Sequence, residues 1–200
     1  MTLSPRVRCA LHAIAIDEKR GPFGPALWES DVGPADGQAV EQVWFSRVHS
    51  NVGGSYDDTG LSDLALNCMI QRVSEHTLLE FDGDYISRDI EGDALATLYK
   101  TRTPLYTVSR MMPFWRVIGG ADHWVSGLTR KFRMNKPRDG QAFINEMLHR
   151  SALNRLGQTA KFQEGDRKST RRYEPRNLIE TTQRLPVVEY DGSISPTAEL

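Results

Sequence analysis

Cys9 to Ile16, CALHAIAI, is an almost uninterrupted apolar run that stops at Asp17. A strand with one wet face alternates apolar and polar residues, whereas a strand covered on both faces of a parallel sheet does not. The run therefore predicts a buried parallel strand with a carboxylate at its carboxyl end. A second apolar run, Val43, Trp44 and Phe45, leads to His49. Parallel neighbours need a crossover of a dozen or more residues, and the intervening chain is long enough to supply one. Lys19 to Gln38 is rich in Gly and Pro (Gly21, Pro22, Gly24, Pro25, Gly33, Pro34, Gly37), so it reads as an ordered connection anchored by Phe23 and Trp28. This topology brings Asp17 and His49 to one edge of one sheet, where open α/β sheets bind ligands.

The stretch from Gln42 to Val73 gathers most of the chemistry. After the apolar run come a glycine-bearing turn (His49, Ser50, Asn51, Val52, Gly53, Gly54) and a helix with Leu61, Leu64, Ala65, Cys68, Met69 and Val73 on one face, capped by Ser62 or Thr59. A His at a strand end beside a pocket is suited to act as a general base. Gly53 and Gly54 either supply a positive backbone angle or turn their amides toward an oxyanion or phosphate. Ser50 and Asn51, directly after the base, are candidates to orient it. The structural alternatives are a hydrogen-bonded His at a strand end, Asp17-Glu18 as a strand terminator and cap, and His12 as a core histidine. Asp57, Asp58 and Asp63 match no calcium-binding loop and read as turn and cap residues.

The remainder is less patterned. Phe81 to Asp93 reads as loop and Asp93 to Tyr99 as one short helix. Pro104 to Met134 mixes Tyr106, Met111, Met112, Phe114, Trp115, Arg116, Trp124, Arg130, Lys131 and Phe132 without a period, as ordinary packing or a cap over a cleft. Ala142 to Leu156 places Phe143, Met147, Leu148 and Ala152 on a helical face. Gln163 to Arg172 is charged, with Arg167, Lys168, Arg171 and Arg172 as a solvated face, and the chain past Arg184 is expected to fray. The expected organisation is core strands and helix over 1–80, an extension or cap of the same domain over 81–184, and a flexible tail over 185–200.

With 25 basic and 26 acidic residues and a formal charge of -1, no overall field favours nucleic acid. Cys9 and Cys68 both lie in apolar runs, as buried thiols do, and no metal site or cofactor is expected. No signal-peptide pattern is read at the N-terminus, and no apolar run approaches a membrane span.

Several segments together resemble a known family. They are His12-Ala-Ile-Ala-Ile-Asp-Glu-Lys-Arg20 with Phe23 and Leu27-Trp28, Val43-Trp-Phe, Val48-His-Ser-Asn-Val-Gly-Gly54 with Tyr56, Gly60-Leu-Ser-Asp-Leu-Ala-Leu66 with Met69-Ile70, Leu148-His-Arg-Ser151, and Tyr173-Glu-Pro-Arg-Asn-Leu178. The family is the α/β-hydrolase domain family that includes the phospholipase effectors of bacterial type VI secretion. The resemblance implies a partial α/β-hydrolase fold, with the last parallel core strands and flanking helices. It also implies a serine hydrolase of lipid esters with His49 as triad base and Asp17 as candidate acid. Such enzymes place the nucleophile in a G-x-S-x-G elbow upstream of this His, and no such pentapeptide occurs in the 200 residues. The chain therefore reads as the carboxyl-terminal part of a hydrolase, inactive alone. Two departures lie near the base: Ser46-Arg47 stands where the family usually has Pro-Gly, and Asn51 where it usually has Asp.

The implied substrate is a phospholipid or other lipid ester, and the implied location is the cytoplasm of the producing cell, with export by a type VI apparatus. Two other classes remain open. One is a non-catalytic split-gene product or interaction module that pairs with an amino-terminal half or a secretion partner. The other is a small-anion-binding domain built round the His49–Gly54 turn.

Overall fold

The computed structural model describes residues 1–100, 114–119, 133–135, 137–179 and 185–196. In chain order the elements are β1 (Cys9–Ala15), β2 (Glu29–Ser30), β3 (Ala39–Phe45), α1 (His49–Gly53), α2 (Gly60–His76), α3 (Gly83–Asp89), β4 (Leu98–Tyr99), β5 (Phe114–Trp115) and β6 (Arg133–Met134). They continue with β7 (Ala142–Phe143), β8 (Glu146–His149), α4 (Arg150–Arg155), β9 (Thr159–Glu164), β10 (Arg167–Arg172), α5 (Arg176–Ile179), β11 (Val187–Val188) and β12 (Ile194–Ser195).

The main sheet has the order β1-β3-β8-β11-β12. Its first four strands run parallel and β12 is antiparallel. β1 and β3 pair in full register from Cys9↔Ala39 to Ala15↔Phe45, as the two apolar runs require. Parallel strands joined by long connections and flanked by helices make this an α/β protein.

Each strand face feeds a different half of the core. Ile14, Trp44, Leu148 and Val187 belong to one cluster, with Leu61, Ile118 and Leu178. Val43, Phe45 and Val188 belong to the other, with Ala65 and Cys68 of α2. Since Val43 to Phe45 is at most 2% exposed on both faces, no alternation is visible in its sequence. The Gly/Pro-rich connection is fixed where expected: the Gln42 amide accepts from Trp28 N at 2.8 Å and donates to Trp28 O at 3.1 Å, and His12 lies against the Trp28 ring.

Four expectations change. Ala142 to Leu156 is not one helix: Glu146–His149 is a central strand between β3 and β11, and only Arg150–Arg155 is helical. Asn145, at a positive φ of 49°, precedes that strand. Phe81 to Asp93 contains α3, whose Asp82 carboxylate caps the amides of Asp84 and Tyr85, and Leu98–Tyr99 is strand rather than helix. The chain past Arg184 does not simply fray, because Val187 and Val188 are completely buried in the main sheet. Of the aromatic and basic mixture from Pro104 to Met134, residues 104–113 and 120–132 lie outside the described residues.

Candidate functional site

The carboxyl edge of β1 and β3 carries the chemistry-bearing residues. Beyond the strands the pairing continues, with Ile16 N donating to Phe45 O and Asp17 N to Arg47 O, both at 2.9 Å. Asp17 and His49 thus leave adjacent parallel strands at the same edge. The His49–Gly54 segment is not a simple turn but the short helix α1, which starts at His49 itself, with Val48 as N-cap and Gly54 as C-cap. Glu18, fully buried, accepts from His49 N at 3.4 Å and from Arg20 Nε and Nη2 at 3.0 and 2.9 Å. The carboxylate therefore sits at the start of α1, where backbone amides lack helical partners.

His49 is exposed and its ring lies 5.1 Å from that of Phe23. It opens into a cleft of about 340 Å³ that runs along His12 to Ala15 of β1 and is closed by Phe23, Val52, Gly53 and Arg116. Arg116, 3% exposed, holds this edge together by donating to the carbonyls of Glu18, Ala15 and Phe23. Burial pushes its guanidinium down to about 10, and it stays a cation at neutral pH.

Asp17 turns to the other side of Arg116, into a smaller cavity of about 200 Å³ lined also by Glu18, Trp115 and Asn177. Its carboxylate accepts from Tyr173 Oη at 2.8 Å. Among the described residues no hydrogen bond or ion pair joins Asp17 to His49, although the two share a sheet edge.

Desolvation raises the Asp17 carboxyl to about 6, against the lowering effect of the Tyr173 bond and of Lys19, Arg155 and Arg116. A carboxyl that binds its proton more tightly when folded weakens the fold as it ionises. The loss is absent below the unfolded value near pH 4 and complete above about 6. Asp17→Asn keeps an acceptor for Tyr173 and is expected to flatten the stability profile between those limits, gaining about 3 kcal/mol at pH 7. Urea unfolding at both ends of the window checks this; parallel profiles for the variant and the parent contradict it.

The remaining candidates divide. Gly54 caps α1 in the left-handed region, at φ 73°, and its amide is committed to Ser50 O, which is the structural role. Gly53 lines the His49 cleft, and a side-chain carbon added there meets nothing within 4 Å. Asn51, 1% exposed, donates to Thr97 O at 3.5 Å and accepts from Tyr99 N at 3.4 Å. An amide serves both partners and a carboxylate only one, which accounts for Asn at this position by its bond to β4 rather than by service to the imidazole. Arg47 is fully buried with its ring contact on Phe45.

Sequence reasoning missed His149. It is 2% exposed, stacked on Phe45, and its Nδ1 caps α4 through Ser151 N and Oγ. Burial, and then Arg47, push it down to about 3, so it is a neutral structural imidazole. Among the described residues no group of three or more His, Cys, Asp or Glu is placed to hold a metal ion. Both cysteines are free thiols, and burial pushes Cys68 up to about 12.

An α/β sheet with an exposed His in a cleft at its carboxyl edge defines the class of molecule. Within it, residues 1–72 match the family model described as T6SS, phospholipase effector Tle1-like, catalytic domain. The match spans β1, β3, α1 and most of α2, and supports a relationship to phospholipase effectors of type VI secretion. No curated protein and no solved structure matches the chain.

Proposed function

We propose that the chain is the acid- and base-bearing part of a lipid carboxylic ester hydrolase of the α/β-hydrolase kind, related to type VI phospholipase effectors. The observation that carries this reading is His49, held at the start of α1 by Glu18 and open to the cleft at the β1/β3 edge, inside the stretch that matches the effector catalytic domain. His49 takes the proton from a serine that these 200 residues do not present in an elbow. The serine then forms an acyl-enzyme that water hydrolyses. Asp17 is the acid of this reading; bonded to Tyr173 on the far side of Arg116, it steadies the imidazolium only after that edge rearranges. Phe23 and the buried edge exclude water on one side of the imidazole.

The isolated chain is expected to show no serine-dependent turnover of phospholipid or p-nitrophenyl esters. Turnover by the isolated chain that disappears in His49→Ala contradicts the proposal, since it places the nucleophile within these residues.

A second reading, a non-catalytic module that pairs with another segment, draws support from one observation. β1 is an end strand of the main sheet, and among the described residues its only strand neighbour is β3. A free edge of this kind is a template for another strand. Arg116 on Ala15 O and the Pro22–Ala26 wall of the cleft cover part of it.

A further inference from the structure

A second concavity, of about 920 Å³, is built by the three-stranded sheet β10-β9-β4 and the loop after α1. The register fixes which residues face it. Tyr99 pairs with Gln163, Gln163 with Lys168, and Lys161 with Thr170, so these side chains share one face. The opposite face buries Leu98, Ala160 and Phe162. The facing wall comes from the loop between α1 and α2: Asp57 and Asp58 line the concavity, and Tyr56 stacks on the Tyr99 ring at 3.8 Å and 12°. Asp58 is held by the amides of Thr97 and Gly60 at 3.0 and 3.4 Å. Asp57, Lys161 and Lys168 make no ion pair among the described residues. Carboxylates and ammonium groups thus line the same concavity without bridging it, a charge distribution that no overall property of the chain requires.

We propose that this concavity binds a small zwitterion carrying a phosphate and a primary ammonium a few atoms apart. Lys161, Lys168 and the Thr170 hydroxyl supply donors for the phosphate, and Asp57 and Asp58 accept from the ammonium. A primary rather than a quaternary ammonium fits. The two tyrosines cover one another and leave no aromatic box for methyl groups, while carboxylates reward N–H donors. Two sources share this chemistry, a lipid headgroup and a free phosphorylated amine. The volume suits a small-ligand site, and the mostly polar lining suits a charged one. Asn51 ties the β4 wall to α1, two residues from His49, so the concavity is anchored to the same short helix as the proposed base. The assignment stands apart from the hydrolase reading, because binding is measured without turnover.

The test is calorimetric titration of the chain with phosphoethanolamine, inorganic phosphate and ethanolamine. Phosphoethanolamine is expected to bind saturably and at least about ten-fold more tightly than either half. Lys168→Glu and Asp57→Lys are each expected to weaken it by about ten-fold or more. Arg167→Glu, the same charge change one residue away on the opposite face of β10, is expected to leave it unchanged. Equal affinity for phosphate alone, equal loss in Arg167→Glu, or no saturable heat overturns the proposal. Vesicles of phosphatidylethanolamine in phosphatidylcholine separate the sources. Sedimentation with vesicles that phosphoethanolamine reverses points to a headgroup, and a soluble probe that binds where vesicles do not points to the free compound.

Discussion

Replacing Arg47 with methionine is expected to stabilise the protein by about 1–4 kcal/mol, the range seen when buried charges give way to apolar side chains of similar volume. Arg47 is 0% exposed. Its Nη1 donates to Leu61 O, but Nε and Nη2 are buried without a hydrogen-bond partner among the described residues, and no carboxylate pairs with it. Burial pushes the guanidinium down to about 9, so at neutral pH it remains an uncompensated cation. The compensation on hand is the Phe45 ring, 4.2 Å away, and a desolvated cation–π contact contributes about 2 kcal/mol or somewhat more, against a desolvation cost of several kcal/mol. Methionine fills similar volume and keeps a favourable sulfur contact with the ring. The backbone bond from Asp17 N to Arg47 O does not involve the side chain. Chemical denaturation checks the sign: a loss of more than about 1 kcal/mol shows that the cation–π contact and the bond to Leu61 outweigh desolvation.

Glu41→Ala is expected to have the opposite and larger effect, a loss of about 3–5 kcal/mol near neutral pH. Glu41 of β3 holds Arg72 of α2 through two bonds, Nε–Oε2 at 2.8 Å and Nη2–Oε1 at 2.6 Å, and His76 joins at 2.6 Å. Arg72 Nη1 also donates to Gly192 O at 2.8 Å, so one guanidinium fastens helix, strand and the turn before β12. The side chains are 10% and 6% exposed, which places the pair beyond full solvent screening. Removing the carboxylate strands the cation, whereas removing both partners together does not. Glu41→Leu with Arg72→Met is therefore expected to recover most of the loss. Desolvation raises the Glu41 carboxyl, but the bonds from Arg72 and His76 outweigh it and leave it below its usual value. Its contribution is present above the unfolded carboxylate range and fades as pH falls through the folded value. The penalty of Glu41→Ala should shrink in acid; a penalty independent of pH contradicts the ion-pair account.

Burial on two faces explains which elements could be read from the chain. β1 is an almost uninterrupted apolar run, and β3 ends in one, Val43 to Phe45, because both faces are covered there, and α2 shows its period because the face with Leu61, Leu64, Ala65 and Cys68 is buried while the other meets water. β8 escaped because Glu146–His149 is four residues long and runs directly into α4, so Met147, Leu148 and Ala152 fall by coincidence on a helical template. β10 has no apolar residue at all. It is a strand because Gly165, at φ 57°, turns the chain back on β9, whose Ala160 and Phe162 supply the buried face. At the site, Asp17 and His49 were placed at one edge correctly by strand order. Their separation by Arg116 depends on a residue 67 positions beyond His49, which no local pattern announces.

Labelling with a fluorophosphonate bears on the proposed hydrolase chemistry without requiring the lipid to be known. The polypeptide that carries these residues would be captured from its source cells, treated with the probe, and the adduct mapped by mass spectrometry, in the parent and in His49→Ala. One serine labelled in a G-x-S-x-G segment outside the 200 residues, with labelling lost in His49→Ala, is the result expected. A labelled serine within these residues contradicts the placement of the nucleophile outside them, and labelling unchanged in His49→Ala contradicts His49 as the base of that reaction.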